Sequence, residues 1–258
     1  MASYSDLPLE VIEEIINALQ DDIPTLQTCS QICSSLLPLC RKYIFRSVDL
    51  SRHTAAIQLF VCLLDNNPGL SDYVQNLSYT IFSHDMANTN VLWVLGRLHR
   101  LQYFRLSGWF VDYWDTIPPP FQSALWRLIR SVQRLEIRYF SSFPMIAFSH
   151  CLNLVDLSLI RIGGFAMESY DEDPSAFVES VPQLRSFAVC FCSSNYSMRL
   201  LQARRPNDVP VLDFSNIQKL TVNIESTVDV TVAHAFIKAT GKLETLVYAG
   251  THTPLMKK

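Results

Sequence analysis

The sequence predicts an α/β protein: a small unit of three short helices over about residues 5–48, then an irregular repeating body over 51–258, a solenoid whose strands form one mostly parallel, curved sheet. Three observations carry this. Apolar residues recur at helical spacing between residues 7 and 36. A short unit (apolar, two residues, apolar, one residue, apolar) then appears seven times, at intervals of about 20 to 35 residues, the sequence signature of a solenoid. Between most of these units lie segments with helix-capping chemistry, so each strand is followed by an element that returns the chain to the same edge of the sheet.

In the first helix Asp6 can accept hydrogen bonds from orphan backbone N–H groups, and Glu10, Glu13 and Glu14 favour the positive end of the helix dipole. Leu7, Val11, Ile12, Ile15, Ile16 and Leu19 form one wide apolar face. A second turn-helix carries Leu26, Cys29, Ile32, Cys33 and Leu36 in steps of three and four, and a third spans Arg41 to Val48. Pro24 and Pro38 punctuate the segment. A unit this short buries little surface alone, so it needs a neighbour, a partner or both.

After Val48-Asp49-Leu50, Ser51 can cap a helix running through Ala55, Ile57, Leu59, Phe60, Leu63 and Leu64 to the stop at Asn66-Asn67-Pro68-Gly69. The repeated unit follows as Val74, Leu77, Tyr79; Leu101, Phe104, Leu106; Val132, Leu135, Ile137; Leu154, Leu157, Leu159; Leu184, Phe187, Val189; Ile217, Leu220, Val222; and Leu243, Leu246, Tyr248. Its alternating tail sends two side chains to a core and leaves those between facing out, as in a strand. Helices are predicted over Asn88 to Leu98, Phe121 to Ile129, Asp173-Pro174 to Val181, and Asp229 to Ala239 with Gly241 as stop. Trp109 to Pro120 and the acidic Gly163 to Asp173 break the pattern and read as longer loops.

Composition narrows the function classes. Apolar residues make up 49% of the 258 and charged ones 17%, enough for a continuous core. A formal net charge of −3 gives no field that points to nucleic acid or a membrane surface. The start is not a secretory signal, and the densest apolar run, Leu59 to Leu64, is far too short to span a bilayer. Seven cysteines without framework spacing suit a reducing compartment, cytosol or nucleus.

Leu7-Pro8, Glu10, Ile12, Ile15, Leu19, Leu26, Cys29, Ile32, Cys33, Pro38 and Phe45-Arg46-Ser47-Val48 fall in an order that resembles the F-box, over roughly the first fifth of the chain. The family often has Trp shortly after the second Cys, where this chain has Leu36-Leu37. The resemblance implies a Skp-type adaptor subunit of a cullin-RING ubiquitin ligase as partner, bound through Leu7, Pro8, Ile12, Ile15, Leu26, Cys29 and Ile32. The repeated unit resembles the strand of a leucine-rich repeat. That family usually places Asn or Cys three residues after the last strand leucine, and here only Cys192 fits; Phe82, Trp109 and Phe140 occupy the position in the first three units, which predicts an aromatic stack in place of the polar ladder.

No constellation for chemistry emerges. Seven glycines leave little room for a phosphate-cradling loop, and no two of the six histidines share metal-binding spacing. Cys29 and Cys33 read as core residues, Cys190 and Cys192 cannot close a normal disulfide within one strand, and adjacent His150-Cys151 is a poor catalytic pair. The residues therefore predict a non-enzyme without cofactor or metal, and the resemblance implies a substrate-recognition adaptor whose repeat body holds a target protein; the alternative is a leucine-rich-repeat scaffold lacking any ubiquitin role, and a cryptic hydrolase comes third. Exposure or burial of the Leu7, Pro8, Ile15, Cys29 face separates the two. The register predicts that Tyr103, Arg105 and Ser107, Arg134, Glu136 and Arg138, and Asp156, Ser158 and Ile160 line the target face. Arg105, Arg134 and Arg138 are the candidates for an acidic or phosphorylated target segment, with Glu136 and Asp156 as internal counter-charges.

Overall fold

A computed structural model of the chain describes residues 8–51, 54–108, 113–164, 180–205 and 207–248. Three helices come first: α1 (Leu9–Ala18), α2 (Ile23–Ile32) and α3 (Leu36–Ile44). Asp6 and Leu7 lie outside the described residues. α1 opens behind Pro8, whose ring presets the backbone for a turn. Asp22 caps α2: one carboxylate oxygen accepts from the Thr25 N–H at 3.1 Å and the other from the Thr25 hydroxyl at 2.7 Å. Pro24 sits in the first turn, where no donor is lost. Cys33 then turns extended and ends α2, so Leu36 begins α3 rather than continuing the second helix as its spacing suggested.

Ile16, Leu26, Leu36 and Cys40 form the buried centre of these helices, with Ile12, Leu19, Ile23, Cys29, Cys33, Leu39, Tyr43 and Ile44 packed around it. This core is separate from a larger one that begins at Leu50 and draws in Phe45 and Val48.

The larger core is built on one eight-stranded sheet whose spatial order is the chain order, β1 to β8, with every pairing parallel. Seven strands fall on the seven predicted units: β2 (Asn76–Thr80), β3 (Tyr103–Ser107), β4 (Arg134–Ser142), β5 (Asp156–Gly164), β6 (Ser186–Cys190), β7 (Lys219–Val222) and β8 (Thr245–Tyr248). The eighth, β1 (Ser47–Leu50), precedes them all. Phe45, Val48 and Leu50 follow the same apolar spacing, and Val48 pairs with Leu77 and Leu50 with Tyr79. The resemblance had assigned Phe45 to Val48 to a third helix; α3 instead ends at Ile44 and Ser47-Val48 join the sheet.

Two ladders of inward side chains run across the strands. One is Val48, Leu77, Phe104, Leu135, Leu157, Phe187, Leu220 and Leu246; the other is Leu50, Tyr79, Leu106, Ile137, Leu159, Val189, Val222 and Tyr248. From Leu50 to Val222 nearly all are buried, each worth about 1.5–3 kcal/mol of transfer free energy for a side chain of this size. Helices cover this face: α4 (Thr54–Asn66) through Ile57, Phe60 and Leu64, α5 (Thr89–Arg97) through Val91, Val94 and Leu95, and α6 (Pro119–Ser131) through Phe121, Leu125, Leu128 and Ile129. Further along, α7 (Ser194–Gln202) and α8 (Thr227–Ala239) do the same. α8 starts on a capping box between Ser226 and Asp229.

Two connections depart from the expected alternation. β4 and β5 are joined by a 3-10 turn over Met145–His150, since that span of chain is too short for a full helix. α7 was not foreseen, although Ser193 caps it by accepting from the Tyr196 N–H, and Tyr196 and Leu200 bury one face. The helix expected over Asp173 to Val181 and the acidic stretch ending at Asp173 fall largely outside the described residues.

Candidate functional site

Two surfaces stand out, one on each core. On the helical unit, Leu9 (56% exposed), Val11 (42%) and Ile15 (50%) on α1 and Ile32 (66%) at the end of α2 are apolar and open to solvent. Ile16 takes the core side of α1, so the described part of the wide apolar face predicted there splits in two: Ile12, Ile16 and Leu19 pack inward, and Val11 and Ile15 are exposed. Of the residues assigned to the adaptor contact, Pro8 is exposed at the start of α1, Ile15 and Ile32 are exposed, and Ile12 and Cys29 are half-buried against the helical core. Leu7 lies outside the described residues. Leu26 is fully buried at the centre of that core, so it packs the three helices and presents nothing to a partner. Leu9 was missed because apolar spacing cannot tell which side of a helix the rest of the protein occupies.

The second surface is the side of the sheet that, among the described residues, no helix covers. A groove of about 390 Å³ runs over it, touching outward side chains from β1 through β6, among them Asp49, Ser78, Tyr103, Glu136, Asp156 and Ala188. Residues of one sheet face can enclose a common space only if that face is hollow. The flanks are small and polar (Ser47, Asn76, Ser78, Ser158, Ser186), which leaves room, while the bulky charged residues stand on β3 and β4.

The predicted register holds: Tyr103 lies opposite Arg134, Arg105 opposite Glu136 and Ser107 opposite Arg138, while Arg134 lies opposite Asp156, Glu136 opposite Ser158 and Arg138 opposite Ile160. Glu136 is the hub. Its carboxylate accepts from the Tyr103 hydroxyl at 2.8 Å, from Arg105 Nε at 3.1 Å, and pairs with Arg138 Nε. Arg105 also donates to the Tyr103 hydroxyl at 3.1 Å, and the Arg105 and Arg134 guanidiniums lie over the Tyr103 ring at 5.8 and 5.6 Å. Burial, then the Glu136 carboxylate, push the Tyr103 hydroxyl pKa up, so it stays a donor. Burial also raises the Asp156 carboxyl pKa, against the opposing pull of Arg134, Lys219 and Arg185. Two of the three candidate arginines are thus held by one internal carboxylate.

The expected aromatic stack takes another form. Phe140 is buried, but its ring neighbours are Trp114 at 6.0 Å and Phe143 at 5.5 Å, and Trp126 and Phe148 extend this cluster. Phe82 stacks on His84 instead, and Trp109 lies outside the described residues. Trp114 in this cluster and Ile117 are buried while Tyr113, Asp115, Thr116, Pro119 and Pro120 are exposed, so the described part of the Trp109 to Pro120 stretch is a surface connection anchored to the core at two points. Cys192, the residue expected at the polar position, donates its thiol to the Leu159 carbonyl at 3.4 Å, and burial pushes that thiol up to about 12. Burial also pushes the Cys151 thiol up to about 12, the reverse of what a nucleophile beside His150 would need. Among the described residues no group of three or more His, Cys, Asp or Glu could hold a metal ion, and no helix is long and apolar enough to cross a membrane.

Compared with known protein families, curated proteins and solved structures, the chain matches none.

Proposed function

We propose that this chain is a substrate-recognition adaptor of an SCF-type cullin-RING ubiquitin ligase, its helical unit an F-box that docks on the Skp-type subunit and its sheet a leucine-rich-repeat-like solenoid that holds a target protein. The observation that carries this reading is the exposure of Leu9, Val11, Ile15 and Ile32 on a helical unit with its own core. Four large apolar residues on one small unit are what an interface needs at its centre, since a few buried anchors dominate binding energy. In a scaffold where the helices merely cap the sheet, such apolar residues would face the larger core instead of solvent. The hollow outward face supports target capture, because it offers side-chain contacts from six strands at once.

Co-expression with a Skp-type subunit tests the reading. Ile15→Asp with Ile32→Asp alters only exposed positions, so the chain is expected to stay folded while adaptor affinity falls by about a hundredfold or more, two anchors each being worth about 1.5–3 kcal/mol. Co-purification of the double variant at wild-type yield, or none by the wild-type chain, refutes it.

A further inference from the structure

Four described residues other than glycine adopt positive φ: Tyr139 (60°), Arg161 (56°), Phe191 (57°) and Asp208 (61°). The first three share one register position. Ile137 pairs with Leu159 and Leu159 with Val189, so each of the three stands two residues beyond an inward residue of β4, β5 or β6. A left-handed residue there resets the strand's alternation: Ile137 and Leu159 point into the core, and so do Phe140 and Ile162, three residues later rather than four. Glycine would hold this geometry without strain. The chain instead places a tyrosine, an arginine and a phenylalanine on three adjacent strands, and strained positions persist where their side chains are required.

Those side chains form one arrangement. Arg161 lies between its neighbours, with its guanidinium carbon 5.6 Å from the centre of the Tyr139 ring and 5.5 Å from that of Phe191. Arg161 is exposed, and among the described residues no carboxylate lies within ion-pair distance of it. It contrasts with Arg105 and Arg138, both engaged by Glu136, and with Arg134, stacked on Tyr103 across from Asp156. Attraction of the cation to two rings uses none of the guanidinium N–H groups in hydrogen bonds, so its donor edge can still meet a ligand. That edge matches the paired oxygens of a carboxylate or phosphate.

We propose that Arg161, clamped between Tyr139 and Phe191, is the oxyanion subsite of the outward face and takes a phosphate or carboxylate group carried by a captured protein segment. This rests on the reading of that face as the capture surface, and it places the anion contact toward the C-terminal ends of β4 to β6, beyond the residues that line the groove, rather than on Arg105, Arg134 and Arg138. Lysine cannot replace the arginine, because a point charge does not fork onto two oxygens.

The test follows the Arg161 Nε–H resonance of the ¹⁵N-labelled full chain during titration with capped phosphoserine and, separately, capped glutamate, with sodium chloride at matched ionic strength as reference. A saturable shift with either probe is expected, and the probe that saturates first identifies the preferred oxyanion. Backbone resonances of β4 to β6 are expected to report affinity at least tenfold weaker in Arg161→Lys and no saturation in Arg161→Gln, with Arg105→Gln within twofold of wild type. Melting temperatures, measured first, confirm that each variant is folded. A shift matched by sodium chloride, or wild-type affinity in Arg161→Gln, overturns the proposal. The titration involves neither adaptor nor target, so its failure and a failed adaptor co-purification are separate results.

Discussion

Gly108 follows β3 directly, with its N–H donated to the Arg138 carbonyl at 2.9 Å. A methyl group added there would stand 2.6, 2.6 and 2.7 Å from three carbons of the Phe140 ring, about an ångström inside carbon contact distance. The ring cannot retreat, because it is 1% exposed and packed against Trp114 and Phe143. Gly108→Ala is therefore an overpacking change, with a cost of about 1–3 kcal/mol. At about 2.1 cal/mol/K of unfolding entropy per residue, 258 residues give about 0.5 kcal/mol/K, so a cost near 2 kcal/mol lowers the melting temperature by about 4 °C. Tryptophan fluorescence reports on this region through Trp114 and Trp126, in thermal and urea unfolding alike. Phe140→Leu removes the obstructing ring atoms, so the double variant is expected to lose at least about 1 kcal/mol less than the two single losses added together. Strict additivity, or a Gly108→Ala melting temperature within 1 °C of wild type, would refute the assignment of Phe140 as the obstacle.

Two further outcomes follow from the perturbed groups. The Asp156 carboxyl pKa is raised by burial, so its favourable contribution is present only below the unfolded value near 3.8 and is lost as pH rises through the folded one; at neutral pH its charge is a net cost. Asp156→Asn is expected to raise the melting temperature at pH 7 and to leave it unchanged near pH 3, and a lowered melting temperature at pH 7 would show that Arg134, Arg185 and Lys219 outweigh burial. Among the thiols, Cys62 is exposed and Cys33 has its pKa lowered by the Ser35 hydroxyl, whereas Cys151 and Cys192 are pushed up to about 12. A colorimetric thiol assay at pH 8 is expected to label the first two on the native chain and the last two only in urea; rapid native labelling of Cys192 would contradict its bond to the Leu159 carbonyl.

The sheet was legible because its signal is both periodic and repeated: a strand buried on one face alternates, and seven alternating units at similar spacing reinforce one another. β1 escaped because Phe45, Val48 and Leu50 carry the same signal next to a helix, where a helical resemblance claimed the same residues. α7 escaped because its face is carried by few apolar residues, Tyr196 and Leu200 among them. The outward register could be read from alternation alone, but the partners of each arginine could not, since Glu136 reaches Arg105 across one strand gap and Arg138 along its own strand. The Tyr139, Arg161 and Phe191 position was invisible for a different reason: nothing in a tyrosine, arginine or phenylalanine signals a left-handed backbone, and an alternating pattern hides the residue that resets it.

Strand order that follows chain order also governs how the protein acquires its structure. Partner residues on neighbouring strands are separated by 22 positions at the closest, Leu135 to Leu157, and by 33 at the widest, Phe187 to Leu220. No pairing joins the first strand to the last, so no step requires closure of a long loop, and the entropic cost of each new strand is about that of the one before. Folding can begin at any well-packed pair and spread in both directions, at a rate set by contacts spanning only about a tenth of the chain. The aromatic cluster around Phe143, where β4 and β5 pair over the longest stretch, is the natural place for that beginning. A lesion at β7 would then leave assembly from β1 to β5 kinetically untouched, while one at Phe143 would slow the whole sheet.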